Sequence, residues 1–265
     1  MLLGALGASG QEALAEKETL AGTEMATEAQ KDKLMMFTIE AGYGSVHDSY
    51  LTPITYDGID LGTGFELMRP LRSNCNRWLW QLMLGADYNY VENPAGNNQL
   101  HKLMGDVMFD MQFQWRGVGD RRLNLSVGPM TQLRAGIVYD EVNSNNPVTV
   151  RAYWNVGATG MVSWKTRLGR KPLTLRYQLQ LPLAGVFFAP EYDESYYEIY
   201  LGNHDNLAQV GWWGNRFDMT HYLGADLKLG STVLRLGYRT RLEHWSVNNL
   251  TVHDFSHALV FGVGI

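Results

Sequence analysis

The sequence predicts an all-β fold, a transmembrane antiparallel up-and-down β-barrel of about ten strands. Three observations predict it. Apolar and polar residues alternate strictly along runs longer than ordinary strands, aromatic residues gather at the ends of such runs, and the links between runs are alternately short and long. Composition agrees, since charged residues make up only 18% of the chain, against roughly 25% in soluble domains. No apolar run approaches the roughly 18 residues that a membrane-spanning helix needs, so any crossing falls to strands. The formal net charge of -5 lacks the basic footprint that nucleic-acid binding requires. Cys75 is the only cysteine, which rules out an intramolecular disulfide and a Cys-pair zinc site.

Taken in order, residues 1–10 (MLLGALGASG) are small and apolar and end in Ala8-Ser9-Gly10, as the back half of a secretory signal does, although the basic front end is absent. Residues 11–33 are rich in Ala and Glu and suit a polar periplasmic lead-in. The barrel is expected over 34–265. Long links are expected near 44–53, 91–99, 140–147, 189–214 and 248–252, with short ones near 71–76, 117–121, 168–172 and 230–231. They delimit ten strands and return both ends of the chain to the short-link side, expected to be periplasmic.

The third strand sets Trp78, Trp80, Leu82, Leu84, Ala86, Tyr88 and Tyr90 against Gln81, Met83, Asp87 and Asn89. In the fourth, Leu103, Val107, Phe109, Phe113 and Trp115 oppose Lys102, Asp106, Asp110, Gln112 and Gln114. The seventh sets Leu173, Leu175, Tyr177, Leu179, Leu181 and Leu183 against Thr174, Arg176, Gln178 and Gln180. Such strands show one face to lipid and the other to a polar lumen. A soluble sandwich or lipocalin-like barrel would carry its charges outside, and these broad apolar faces are almost free of charge. The last segment alternates Phe255, Leu259, Phe261, Val263 and Ile265 with smaller residues. In this closing strand, and over 34–265 as a whole, the chain resembles the small outer-membrane barrels of Gram-negative bacteria. That resemblance implies an outer-membrane location, contact with outer-membrane lipids and lipopolysaccharide, and insertion by the outer-membrane assembly machinery, but no particular activity.

The polar parity places acidic residues in the lumen from the early strands (Glu40, Asp60, Glu66, Asp87, Asp106, Asp110) and basic residues from the later ones (Arg134, Arg151, Arg176, Arg235, Arg239, Arg241). Charges taken from water need partners, and this segregation supplies them across the lumen. Ten strands leave little free space, so a salt-bridged, mostly occluded interior is expected rather than a general porin.

Three His-Asp dipeptides, His47-Asp48, His204-Asp205 and His253-Asp254, fall in links expected on the outside. They do not reproduce the pairing of surface proteases of the omptin type, and no metal-ligand spacing appears. His221, His244 and His257 share the lipid-facing parity of the last three strands. The stretch Glu243-His244-Trp245-Ser246-Val247-Asn248 resembles the His-x-Ser-Asn stretch of lipid A deacylases, with Val247 intervening before the Asn. That resemblance implies a lipid acyl hydrolase in which His244 activates Ser246, with Asp254 the nearest carboxylate to orient the histidine, although its parity points inward unless the strand end bulges. The longest link, 189–214, carries Glu191, Tyr192, Asp193, Tyr196, Tyr197, Trp212 and Trp213, an aromatic and acidic set suited to an extracellular sugar or protein ligand, or to a lid over the mouth. The preferred reading is a non-enzymatic structural or binding barrel without metal or cofactor. The alternatives are the acyl hydrolase and a narrow small-solute channel.

Overall fold

The computed structural model describes residues 33–71, 77–191, 196–202 and 206–265. Seven strands follow one another as antiparallel neighbours: β1 (Leu34–Asp48), β2 (Tyr56–Pro70), β3 (Trp78–Glu92), β4 (Gln99–Arg116), β5 (Leu123–Asp140), β6 (Val148–Leu168) and β7 (Lys171–Phe188). A short helix α1 (Tyr196–Tyr200) and a short strand β8 (Ala208–Trp212) precede β9 (Arg216–Leu229), β10 (Thr232–Val247) and β11 (Leu250–Gly264). β1 pairs with both β2 and β11, and β7 pairs with both β6 and β9, so the sheet closes as a ten-stranded up-and-down barrel with β8 set beside the upper part of β7. Closure leaves only the short β8 with an unpaired edge among the described strands, in keeping with a lipid environment, where nothing can satisfy an unpaired backbone N–H.

The period-two pattern decides the facing. Outward positions of β9, β10 and β11, such as Leu223, Leu236, Tyr238, Leu259 and Phe261, are exposed and carry no Lys, Arg, Asp or Glu. The alternate positions, among them Asp218, Arg235, Glu243 and Asp254, are buried in the lumen. This is the inverse of a soluble barrel, and it makes the outer wall a lipid-facing surface.

One part of the wall is irregular. Pro182 offers no N–H to a ladder, and the β6–β7 register shifts there: Gly157 faces Pro182 while Val156 faces Ala184, leaving Leu183 as a bulge. β7 pairs with β9 only as far as Gln180 and resumes with β8 at Ala184. Trp213 spans the break by donating its indole Nε1–H to the Pro182 carbonyl at 2.9 Å. Asn215 holds the chain reversal, accepting from Trp212 N and donating to the Val210 carbonyl, both at 2.9 Å.

The strands run further than the sequence suggests at the long-loop end. β1 reaches Asp48 and β11 begins at Leu250, so His47-Asp48 and His253-Asp254 lie on strands, not in loops. Between β10 and β11 only Asn248 and Asn249 remain, with φ of 55° and 60°. Asn tolerates that left-handed region, and two such residues make the tight hairpin turn whose twist matches the strands. The expected long link at 248–252 is therefore a two-residue turn. Likewise 208–212 of the expected loop 189–214 is strand β8.

Candidate functional site

Three layers fill the lumen. At the long-loop end apolar side chains gather inside the barrel. Val46, Leu51, Tyr56, Val91, Leu100 and Val138 form one buried cluster, and Met104, Tyr153, Phe187, Trp245, Leu250 and Val252 form a second. Tyr50 packs against both, so the link after β1 is folded into the mouth. Strands on opposite sides of the barrel supply these residues, and together they seal the opening. Loop 189–214 adds to the seal: Ala189 is fully buried in the second cluster, and its carbonyl accepts from Asn248 Nδ2 at 2.9 Å. Tyr196 of α1 has its ring edge-on to Tyr50 and stacked on Phe188, and its hydroxyl accepts from Val150 N at 2.6 Å and donates to Thr149 Oγ1 at 3.3 Å. Burial pushes that phenol above its ordinary pKa.

Beneath the plug lies a network of ions. Arg134, 1% exposed, grips Asp87 with both terminal nitrogens at 2.6 and 2.9 Å, reaches Asp106 at 3.1 Å and sets its Nε 3.0 Å from Glu243. Arg241 joins Asp87 from across the lumen at 2.8 Å. Glu66 on β2 takes Arg176 from β7 and Arg235 from β10, and both arginines also hold Asp226. Glu40 pairs with Arg239. Asp60 and Asp110 are instead held by amides, Asn89 at 2.7 Å and Gln112 at 3.0 Å. A cavity of about 60 Å3 remains among these groups, bordered by Glu40, Glu66, Gln178, Arg235, Arg239 and Arg241. The charges are desolvated and geometrically matched, as buried ions must be.

All twelve residues assigned to the lumen from parity face inward, and so do Lys102, on the polar face of its strand, and Asp254, whose parity also points inward; the sequence missed Asp48 of the same system. Asp48 and Asp254 come from the two dipeptides, and Lys102 lies on β4. Arg151 spans both aspartates, donating to Asp48 Oδ2 at 3.0 Å and to Asp254, while Lys102 reaches Asp254 at 2.6 Å. Each His-Asp pair thus splits, with the Asp inside on Arg151 and the His outside. Arg216 was also missed; it binds Asp218 at 2.6 Å with its guanidinium 3.8 Å from the centre of the Tyr153 ring.

The third layer is a vestibule of about 360 Å3 at the short-turn end. Lys33, Lys165, Arg176 and Lys228 contribute cations to its wall, Gln114, Asn124 and Ser163 neutral polar groups, and Met161 and Val233 apolar surface. Asp226 is the one acidic side chain among the lining residues, and it is already occupied by Arg176 and Arg235.

On the outer wall His244 and Ser246 share a face, as parity implies, but the hydroxyl does not engage the ring. Ser246 Oγ lies 3.3 Å from Thr251 Oγ1, and His244 packs against His253 with ring centroids 5.6 Å apart. Asp254 points into the lumen onto Lys102 and Arg151, so it cannot orient His244; the register alternation that put His253 outside put Asp254 inside. His47, His253 and His244 form one cross-strand row over β1, β11 and β10. Among the described residues no group of three His, Cys, Asp or Glu is disposed to hold a metal. Of the loop residues, Trp212 and Trp213 are exposed and Tyr196 is docked, while Glu191 is reached by Asn206 at 3.4 Å. Tyr192, Asp193 and His204-Asp205 lie outside the described residues, as do 1–32 and Cys75, and the side chain of Tyr197 is likewise undescribed.

A chain of hydrogen bonds on the opposite outer wall had no local signature. Tyr88 OH lies 2.6 Å from His101 Nδ1, and His101 Nε2 lies 2.6 Å from Glu141 Oε1. The rings of Tyr90 and Tyr139 flank the same imidazole. Only the register of three strands brings these residues together, so spacing along the chain could not have revealed them.

Strand closure, an outer wall that is apolar and nearly free of charge, and an ion-filled lumen define the class: a transmembrane up-and-down β-barrel. The chain belongs to the family described as "Protein of unknown function (DUF3316)", whose model matches residues 6–264. No curated protein matches it. Among solved structures it is similar to the transport unit of the autotransporter AIDA-I from Escherichia coli, at 8% identity and TM-score 0.47 over 88% of this chain and 89% of that one. It is also similar to the outer membrane protease OmpT from Escherichia coli, at 5% identity and TM-score 0.42 over 88% and 94%. The translocator domain of the autotransporter NalP from Neisseria meningitidis gives 8% identity and TM-score 0.38 over 97% of each chain. Likenesses at this level transfer neither an activity nor a partner.

Proposed function

We propose that this chain is a non-enzymatic outer-membrane barrel of a Gram-negative bacterium, closed to the outside and serving a structural or binding role. The observation that carries the reading is the seal at the long-loop end, where two apolar clusters and the docked Tyr196 lie over the Arg134 network. Passage of a solute would require displacing packed side chains and then separating desolvated ion pairs, each of which opposes a standing pore. Short turns are taken as periplasmic and long links as extracellular, the usual arrangement for such barrels. Lipopolysaccharide and outer-membrane lipid then cover the wall, insertion falls to the assembly machinery of that membrane, and an extracellular sugar or protein would meet the exposed Tyr200, Leu201 and Trp212.

The test is conductance. Purified barrel in a planar bilayer is expected to give no steady current, and a steady current altered by Arg239→Ala would overturn the reading. The engagement of Ser246 with Thr251, and of Asp254 with lumen cations, favours a role without lipid hydrolysis. Fatty-acid release from lipopolysaccharide that disappears in Ser246→Ala would overturn that part.

A further inference from the structure

Six histidines lie among the described residues, and strand parity sets all six on the outer wall. Three are engaged with tyrosines: His101 and His221 each meet a phenol oxygen, at 2.6 and 2.7 Å, and His257 packs against the rings of Tyr43 and Tyr238. The other three stand side by side on adjacent strands near the long-loop end, His47 opposite His253 and His253 opposite His244. Neighbouring strands lie about 4.8 Å apart, so one small ligand can touch two or three of these rings. His47 and His244 flank the row half-buried, each with an Nδ1 that is buried and has no hydrogen-bond partner, while His253 at the centre is exposed.

That difference divides the labour. A buried ring nitrogen without an acceptor does better as a bare lone pair than as an orphaned N–H, so His47 and His244 carry their proton on Nε2 and stay neutral donors. The exposed His253 is free to take up a second proton, with no cation beside it in the row to oppose the charge. Hydroxyls lie just above. Ser246 Oγ and Thr251 Oγ1 share one contact of 3.3 Å between two O–H groups, and Ser49 Oγ accepts from Thr251 N at 2.7 Å, keeping its own proton outside that bond. Neither row contains a carboxylate. Asp57, beside Ser45 on β2, is the acid nearest on the outer face, and Asp48, Asp254 and Glu243 turn inward onto Arg151, Lys102 and Arg134. Below the histidines the wall becomes lipid-facing, with Phe255, Tyr43, Tyr238, Leu259 and Phe261 exposed. Aromatic rings mark the edge of the hydrocarbon, which sets the donor rows at headgroup height. Among the described residues the long-loop end presents no exposed Lys or Arg, so these imidazoles are the bases that an anionic headgroup meets there.

We propose that His47, His253 and His244 form a binding site for the phosphate monoester of an outer-leaflet lipid, with His253 as the imidazolium and its two neighbours as neutral donors. The hydroxyls of Ser49 and of the Ser246–Thr251 pair complete the set of donors. A phosphate offers three acceptor oxygens and a charge that strengthens each bond to it. The lipid, rather than free phosphate, is the source because the apolar wall directly beneath receives the acyl chains of the same molecule, so its phosphate arrives tethered and at high effective concentration. Ser246 and His244, which do not pair as nucleophile and base, thus serve one site by donating to the same headgroup. The proposal rests on the reading of the long-loop end as extracellular and deepens it; its test reads lipid binding, not conductance.

The experiment uses the full chain in an alkyl maltoside, a detergent without phosphate. Three probes are titrated by native mass spectrometry: lipopolysaccharide, the same lipopolysaccharide stripped of its phosphates, and inorganic phosphate. Lipopolysaccharide is expected to bind about tenfold more tightly at about pH 6 than at about pH 8, because imidazole gains its charge across that range. The stripped lipid should bind weakly and alike at both. His253→Gln should abolish the pH dependence, whereas His47→Gln/His244→Gln should weaken binding about tenfold at either pH, as the loss of donors to a charged acceptor does. His101→Gln, on the opposite wall, should match the parent. Heat-modifiable gel mobility verifies that each variant forms a barrel. Where one does not, the ring-carbon resonances of the parent carry the test: that of His253 should move to the imidazolium position when lipopolysaccharide is added at about pH 7. No movement, unchanged binding in the row variants, equal binding of the stripped lipid, or inorganic phosphate competing at the lipid's own concentration would each overturn the proposal. A steady bilayer current would overturn the closed-barrel reading and leave the binding result standing on its own.

Discussion

At the long-loop end Val46 and Leu100 in one apolar cluster and Phe187 and Trp245 in another project from four strands to fill the lumen, whereas at the short-turn end the same inward parity carries Gln114, Asn124, Ser163 and Arg176 around a cavity of about 360 Å3. One end is shut by shape, the other left open and charged. The difference teaches that alternation fixes which residues face inward, while their chemistry decides whether the space they face is filled. Apolar side chains close a gap without needing partners. Long polar side chains can close one only where each meets a counterpart across the lumen, as in the middle layer; at the base they ring a space that water can share.

The middle layer separates the two ends, so breaking it should have the largest effect. Arg134→Leu removes the cation shared by Asp87, Asp106 and Glu243, leaving buried carboxylates short of a partner. A loss of about 3–5 kcal/mol is expected, to be read as a fall in the urea concentration that abolishes heat-modifiable mobility. Leu100→Ala comes next. It empties space in a fully buried position of the plug, at a cost of about 2–5 kcal/mol. If the seal is what stops conduction, this variant should also give intermittent current where the parent gives none. A smaller effect belongs to Tyr196→Phe, which deletes the hydroxyl bonded to Val150 N and Thr149 Oγ1. About 1 kcal/mol of local docking should go, seen as faster proteolysis of loop 189–214 while the barrel keeps its global stability.

Much of this architecture was legible because side chains on a strand alternate between two faces, so one correct parity sorts a whole strand. That is why Glu66, Arg134 and Arg235 could be assigned to the lumen without knowing their partners. The partners were not legible, since Glu66 meets Arg176 and Arg235 only through closure of the barrel. Strand ends were misread for a physical reason: in His47-Asp48 and His253-Asp254 two polar residues in succession look like a loop, yet each half faces a different environment. The segment 208–212 looked like loop because Gly211, Trp212, Trp213 and Gly214 break the alternation, and the structure uses them to span the register shift at Pro182. Tyr88, His101 and Glu141 were beyond reach because cross-strand register alone joins them.

The smallest expected effect sharpens the comparison most. Lys228 is exposed at the short-turn end, with a side chain that lines the vestibule and no place in the buried ion network. Lys228→Glu should leave global stability within about 0.5 kcal/mol, the usual range for a surface change, because nothing packed depends on it. A cationic mouth that attracts anions should nonetheless lose part of its field, since the substitution replaces a positive charge with a negative one. Binding of a short poly-glutamate probe to the full chain, followed by fluorescence anisotropy at low salt, should therefore weaken while the urea midpoint stays in place. A large drop in the midpoint would mean that the short-turn end, like the plug, is held by packing around this residue. The contrast between a shape-filled end and a charge-lined one would then fail at its base.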